Sequence, residues 1–144
     1  MSLTFFNSKI LVVGGAGFIG SNLVNKLLCE NPKEIIIVDN LISSETINIP
    51  NDDRVSFIFG SITNNQILNN LPKDIDFVFH LACYHGNQSS MADPFADHEN
   101  NTLTSLKLFD ALKSSRSLKK LVYAAAACAV AEKTYDEPSA TTED

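Results

Sequence analysis

Short β-branched runs alternate with helix-compatible stretches along most of this chain. Lys9 to Val13 (KILVV) reads as a first strand that starts a little earlier, around Phe5-Phe6. From Phe18 to Leu28, Ile19, Leu23, Leu27 and Leu28 recur at helical spacing and predict one apolar face, ended by Asn31-Pro32. Ile35 to Val38 is too short and too β-branched for a helix and makes a second strand. The polar segment Asn40 to Arg54, with Pro50 and Asn51-Asp52-Asp53, reads mostly as loop. Val55 to Phe59 is a third strand ended by Gly60, and Asn65 to Leu71 a short helix bounded by Pro72. Phe77 to Leu81 is the fourth strand. Pro94 opens a helical region in which Leu103, Leu106, Phe109 and Leu112 form a stripe at three-residue spacing, and Lys120 to Ala124 supplies a fifth strand.

Continuously apolar strands imply a sheet covered on both faces, and the intervening helices supply the cover. The predicted fold is α/β: a three-layer, Rossmann-type parallel sheet in the order 3-2-1-4-5. Beyond Ala131 the chain turns polar. Residues 1–131 are therefore expected to form a partial domain, incomplete on its C-terminal side, and residues 132–144 a connection leading onward.

Composition narrows the function more than the fold. The 144 residues are 44% hydrophobic with nine Phe, enough for a packed core and against wholesale disorder. Seventeen acidic against eleven basic side chains give a net charge of -6, and no basic stripe is present, which disfavours a nonspecific nucleic-acid surface. Phosphate-bearing small molecules stay open, since backbone N–H groups at a helix start hold them whatever the total charge. Cys29, Cys83 and Cys128 are odd in number and widely separated, and with His80, His85 and His98 they make no metal-site spacing. No metal is expected. No signal-peptide pattern and no apolar stretch of membrane-spanning length occurs, so a cytoplasmic protein without a membrane partner is expected.

The chemistry starts at Val12-Val13-Gly14-Gly15-Ala16-Gly17-Phe18-Ile19-Gly20, where Gly14, Gly17 and Gly20 stand three apart between a strand and a helix. The first permits a tight turn, the second lets a pyrophosphate approach the backbone, and the third allows close helix–sheet contact. The phosphates would lie on the first helical turn, at Phe18 and Ile19, where N–H groups have no intrahelical partner. Asp39 ends the second strand, nineteen residues beyond Gly20. A carboxylate there accepts from both hydroxyls of an adenine ribose and repels a 2′-phosphate, and no Arg follows to receive one. NAD is thus favoured over NADP. Asn40 is placed either to orient the same ribose or to form an ordinary turn. Ser61 and Ile62, directly after the third strand, are candidates for the adenine amine and ring face; a cap and a core position are the plainer roles. Leu81, Ala82 and Cys83 follow the fourth strand beside the proposed crevice. Ala82 is small enough to let a cofactor pass, and Cys83 reads as a neighbour rather than a nucleophile. His85 reads as a loop residue beside the sugar or phosphate region, His80 as packing at the strand end.

Together these segments resemble the extended short-chain dehydrogenase/reductase family, in particular its NAD-dependent nucleotide-sugar epimerases and dehydratases. The glycine turn, Asp39-Asn40, Gly60-Ser61-Ile62, His80-Leu81-Ala82-Cys83, Asp93-Pro94 with Glu99-Asn100-Asn101, and Leu121-Val122-Tyr123 occur in the family order across nearly the whole chain. The resemblance implies that Asn101 supports the cofactor and the active-site backbone. Where the family commonly has Asp, this chain has Ser61. Where it has the catalytic Ser or Thr, Ala124-Ala125-Ala126-Ala127-Cys128 stands, with Ala126 at the hydroxyl position. Thr134, farther along, is a poor substitute. The family's Tyr-x-x-x-Lys pair is absent: Tyr84, Tyr123 and Tyr135 are followed four residues later by Gln88, Ala127 and Ser139. Without such a Lys, a phenol of pKa about 10 is a poor base at neutral pH. No catalytic residue is therefore assigned.

The expected function is the NAD-binding portion of a nucleotide-sugar 4-epimerase-like enzyme, acting by transient hydride transfer at a sugar hydroxyl. Its partner in the full-length protein is a nucleotide sugar, with a homodimer left open. This chain alone is expected to be inactive. The alternatives are a non-catalytic dinucleotide-binding or redox-sensing module, and an oligomerisation fragment that binds no cofactor.

Overall fold

The structure is a computed structural model that describes residues 4–84 and 86–125. Five parallel strands form one sheet: β1 (Lys9–Val13), β2 (Glu34–Asp39), β3 (Val55–Phe59), β4 (Phe77–His80) and β5 (Lys120–Tyr123), in the order β3-β2-β1-β4-β5. The predicted topology holds. Helix α1 (Phe18–Leu28) joins β1 to β2 and α2 (Asn65–Asn70) joins β3 to β4. Between β4 and β5 lie α3 (Asn87–Ala92), α4 (Pro94–Asp97), a π-helical stretch (His98–Leu103) and α5 (Thr104–Leu112). The expected connection at 132–144, with Ala126, Cys128, Thr134 and Tyr135, lies outside the described residues, as does His85.

Strand alternation divides the core into two layers. Ile10 and Val12 of β1 join Ile35, Ile37 and Phe77 against Val24 and Leu27 of α1. Leu11 and Val13 point the other way, joining Ile36, Val38 and Val78 against Leu68 of α2 and Leu108 of α5. Burying one such side chain contributes about 1.5–3 kcal/mol, whereas an exposed ion pair such as Lys113–Asp110 contributes about 0–1 kcal/mol. The two apolar layers therefore dominate the energetics.

Three expectations are corrected. Phe5-Phe6 does not extend β1: Asn7 has a φ of 54° and Ser8 N donates back to Phe5 O at 3.2 Å, turning the chain. Phe5 packs instead edge-on to Phe77, with centroids 4.8 Å apart. The face of α1 is rotated, so Gly20, Ser21, Val24 and Leu27 are buried and Ile19 is 69% exposed. The stripe over Leu103–Leu112 is not the buried face of α5, because a spacing of three falls short of the 3.6-residue turn and walks around the helix. Thr104, Ser105 and Leu108 are buried instead, while Leu106 is 58% exposed.

The packing of α1 depends on Gly20. A Cβ there would strike the Gly14 carbonyl oxygen and lie 2.7 Å from Gly15 Cα, so the close contact is with the glycine turn itself. Gly20→Ala is expected to cost on the order of 3 kcal/mol in urea denaturation; an unchanged midpoint would contradict this packing. At the far end of α1, Arg54 Nη1 donates to Leu28 O at 3.1 Å, and Asp52 pairs with Arg54 at 2.7 Å. Arg54 hydrogen bonds lower the Asp52 carboxyl from 3.8 to about 2. Its stabilising contribution is complete above pH 3.8 and is lost as pH falls through about 2. NMR titration should place the Asp52 midpoint near 2 and return it toward 3.8 in Arg54→Met; a midpoint near 3.8 in the unsubstituted protein would contradict the pairing.

Candidate functional site

The strand order reverses between β1 and β4, and a parallel sheet opens a crevice at such a point, beyond the carboxyl ends of its strands. A cavity of about 320 Å³ occupies that crevice, at the lower end of the range for ligand pockets. Its floor is Val13, Gly14 and Gly17 after β1, Val38, Asp39 and Asn40 at the end of β2, and Gly60, Ser61 and Ile62 after β3. Leu81, Ala82, Cys83 and Tyr84 come from the chain after β4. Most of the residues singled out from the sequence thus meet at one place. Phe18, Ile19 and Gly20 do not line the cavity; they form the first turn of α1 just beyond Gly17, with Phe18 85% exposed.

Gly14 has a φ of +83°, and a Cβ there would lie 2.5 Å from Ala82 N, so β1 and β4 approach only because the side chain is missing. Gly17 differs. It caps α1 with an ordinary extended backbone (φ −70°, ψ 172°), and a Cβ would meet only Gly14 O at 3.5 Å. The room above Gly17 is open, and no side chain caps the helix start. The amides of the first turn have no intrahelical acceptor, which makes this end of the cavity receptive to an anion.

Among the described residues Asp39 is the acidic side chain lining the cavity, 9% exposed. Its Oδ2 accepts from Ala16 N at 3.0 Å, tying the end of β2 to the glycine turn. Its Oδ1 accepts from Leu41 N and Ser44 Oγ, both at 2.9 Å. Leu41 has a φ of 57°, a left-handed conformation that costs a side-chain-bearing residue about 1–2 kcal/mol and is held here by the carboxylate. Three of the carboxylate's roughly four accepting positions are therefore occupied.

The other predicted residues each have a local role as well. Asn40 Oδ1 accepts from Ile42 N at 3.3 Å, while its Nδ2 donates to Asn100 Oδ1 at 3.3 Å, linking the β2 loop to the π-helical stretch. Ser61 Oγ accepts from Thr63 N at 3.1 Å and Thr63 Oγ1 at 2.9 Å, and Ile62 is buried in the core. Cys83 is exposed at the cavity. Asn101 clamps the chain after β4: its Oδ1 accepts from Tyr84 N at 2.8 Å, and its Nδ2 donates to Tyr84 O at 2.9 Å and Asp97 Oδ1 at 2.8 Å.

Sequence reasoning missed Ser43, Ser44, Ser89, Asn100 and Thr104 on the cavity wall. None belongs to a spaced motif; the adjacent asparagines of Glu99-Asn100-Asn101 were the one available signal. Among the described residues no Lys or Arg lines the cavity. An anionic ligand would thus be held there by backbone amides and side-chain dipoles. Among the described residues no group of His, Cys, Asp and Glu is arranged to hold a metal ion, and no helix is long and apolar enough to cross a membrane.

Comparison with known proteins identifies the family. Residues 10–144 match the NAD dependent epimerase/dehydratase family. The chain is 33% identical over 131 residues to a putative UDP-glucose 4-epimerase of Methanocaldococcus jannaschii, covering 90% of this chain and 40% of that protein. It is 34% identical over 125 residues to the dTDP-D-glucose 4,6-dehydratase of Dictyostelium discoideum, covering 82% of this chain and 29% of that protein. Among solved structures, the Bordetella bronchiseptica enzyme WbmF in complex with NAD+ superposes with a TM-score of 0.80 at 55% identity, covering 83% of this chain and 36% of that one. The chain thus spans well under half the length of these relatives.

The Asp39 geometry is directly testable. In Asp39→Asn one side of the amide would present N–H to Ala16 N–H or Leu41 N–H. That mismatch should cost about 1–3 kcal/mol. A thermal or urea midpoint equal to that of the unsubstituted protein would show that the carboxylate does not hold the turn.

Proposed function

The chain belongs to the NAD dependent epimerase/dehydratase family, and from that premise we propose that it is the NAD-binding portion of a nucleotide-sugar 4-epimerase-like enzyme. The observation that carries this reading is a single cavity lined by both Gly17 at the helix start and Asp39, so that anion-receptive amides and a carboxylate border one crevice. The residues fit the group. Gly17 leaves open the space that a Cβ-bearing side chain would fill, and Asp39 retains an accepting position for a ribose hydroxyl. When bound, NAD accepts a hydride from a sugar carbon and returns it.

Each residue has a definite part in this proposal. Gly14 and Gly20 bring the turn, β4 and α1 together, Gly17 admits the pyrophosphate, and the Phe18 and Ile19 amides bind it. Asp39 and Asn40 orient the adenine ribose; for both hydroxyls to reach Asp39, one must displace the Ser44 hydroxyl. Ser61 and Ile62 flank the adenine, and Leu81, Ala82 and Cys83 line the path toward the nicotinamide. The nucleotide sugar is the substrate of the full-length protein, where its acid/base groups are sought in sequence beyond the described residues. The relatives include both 4-epimerases and a 4,6-dehydratase, so the 4-position of a hexose is the shared reactive centre.

Calorimetry with NAD tests the site. Gly17→Val should preserve the fold and weaken NAD by about tenfold or more, equivalent to about 1.4 kcal/mol; undiminished affinity in a folded variant would refute the placement of the phosphates. Asp39→Ala should weaken NAD and narrow its preference over NADP, and an unchanged ratio would refute the ribose assignment. The full-length protein should interconvert or dehydrate nucleotide hexoses; absence of turnover across such substrates would favour a non-catalytic binding module.

A further inference from the structure

His80 ends β4 with 1% of its surface exposed. Its ring lies edge-on to Tyr123, centroids 5.5 Å apart, and its Nε2 is 3.3 Å from Ser105 Oγ. Nδ1 has no hydrogen-bond partner among the described residues. The proton directions follow from the neighbours. A serine hydroxyl carries one hydrogen, and that of Ser105 is used on Asn101 O at 2.8 Å. Ser105 Oγ therefore accepts from the imidazole, which fixes the neutral ring as the Nε2–H form with a bare Nδ1. Burial favours the same neutral form, pushing the His80 pKa below its ordinary value.

What Ser105 supports is the π-helical stretch. Its wider i→i+5 pattern displaces carbonyls from their α-helical partners, and hydroxyls one turn later bond two of them: Thr104 Oγ1 donates to Asn100 O at 2.8 Å and Ser105 Oγ to Asn101 O. Asn100 and Asn101 are the residues whose side chains leave this stretch for the two walls of the cavity. One holds Asn40 after β2 and the other holds the Tyr84 backbone after β4.

We propose that His80 is a positioning residue for the cavity: by donating from Nε2 to Ser105 it holds the π-helical stretch in the geometry from which Asn101 grips Tyr84 and Asn100 grips Asn40. As far as cofactor affinity is concerned, the proposal rests on the NAD reading above. His80 touches no ligand in this scheme. Its effect passes through one hydroxyl and one backbone carbonyl to the loop that lines the crevice.

The test uses the full-length protein and reads amide hydrogen exchange at Tyr84, whose N–H is donated to Asn101, together with NAD affinity. Ser105→Ala and His80→Asn, whose amide is too short to reach Ser105, should each speed Tyr84 exchange about tenfold and weaken NAD about tenfold. The Val12 amide, in the centre of the sheet, should keep its protection. His80→Gln, which places an amide nitrogen near the Nε2 position, should restore both quantities. The ring ¹⁵N shifts of His80 should report a protonated Nε2 and a bare Nδ1. Unchanged Tyr84 protection in Ser105→Ala, or equal loss of protection at Tyr84 and Val12 in both variants, would overturn the proposal. Should His80→Asn fail to fold, the ring ¹⁵N shifts decide, and a bare Nε2 would overturn the proposal. If the unsubstituted protein shows no saturable NAD binding, the cofactor reading fails while Tyr84 exchange still decides the role of His80.

Discussion

Helix α1 can come no nearer to the sheet than the turn before it allows, and that turn is built from backbone alone at the positions that matter. Gly20 sits against the Gly14 carbonyl and Gly15 Cα, and Gly14 against Ala82 N, at separations that leave no room for a Cβ. Close approach here sets three things together. It seats Val24 and Leu27 on the apolar layer, brings the helix start to the crevice, and aligns the chain after β4 beside the chain after β1. Ala82 N and Leu81 N both donate to Val13 O, at 3.0 and 2.8 Å, so the two strand ends are joined by hydrogen bonds as well as by contact.

Asp39 locks this arrangement from the other side. One carboxylate joins the end of β2 to the glycine turn through Ala16 and holds the left-handed Leu41. The residue proposed to select the cofactor is thus also a structural tie, and a substitution there acts on shape and chemistry together. The same economy holds across the crevice, where Asn40, Asn100 and Asn101 join loops from separate elements through side-chain amides. Among the described residues the cavity wall mixes apolar side chains with uncharged polar ones, and Asp39 carries its charge. Orientation of a ligand would therefore come from dipoles held in place by the fold rather than from mobile cations.

Much of this was legible in the sequence because β-branched runs in a parallel sheet are buried on both faces and stand out against polar connections. β3 and the length of α1 match the expected bounds, β1 keeps its Lys9–Val13 span without the expected earlier start, and β2 and β4 differ by one residue at an end or both. What was not legible has physical causes. A positive φ at Asn7 ends the strand that Phe5-Phe6 would otherwise continue. Helix α3 (NQSSMA) carries no apolar period to read. A spacing of three falls short of the 3.6-residue turn and walks around α5, so the apolar stripe could not identify its buried face. Ser43, Ser44 and Thr104 reach the cavity through loop and helix geometry that no spacing encodes. The motif residues, by contrast, converge because each closes a strand at the same edge of the sheet.

The crevice lined by the α1 N-terminus and Asp39 is proposed to be a dinucleotide cradle. A crystal structure of the full-length protein with NAD+ tests it most directly. The pyrophosphate should lie against Gly17 and the amides of Phe18 and Ile19, with the adenine ribose hydrogen-bonded to Asp39. A dinucleotide bound away from Gly17, or with its ribose turned from Asp39, would contradict it.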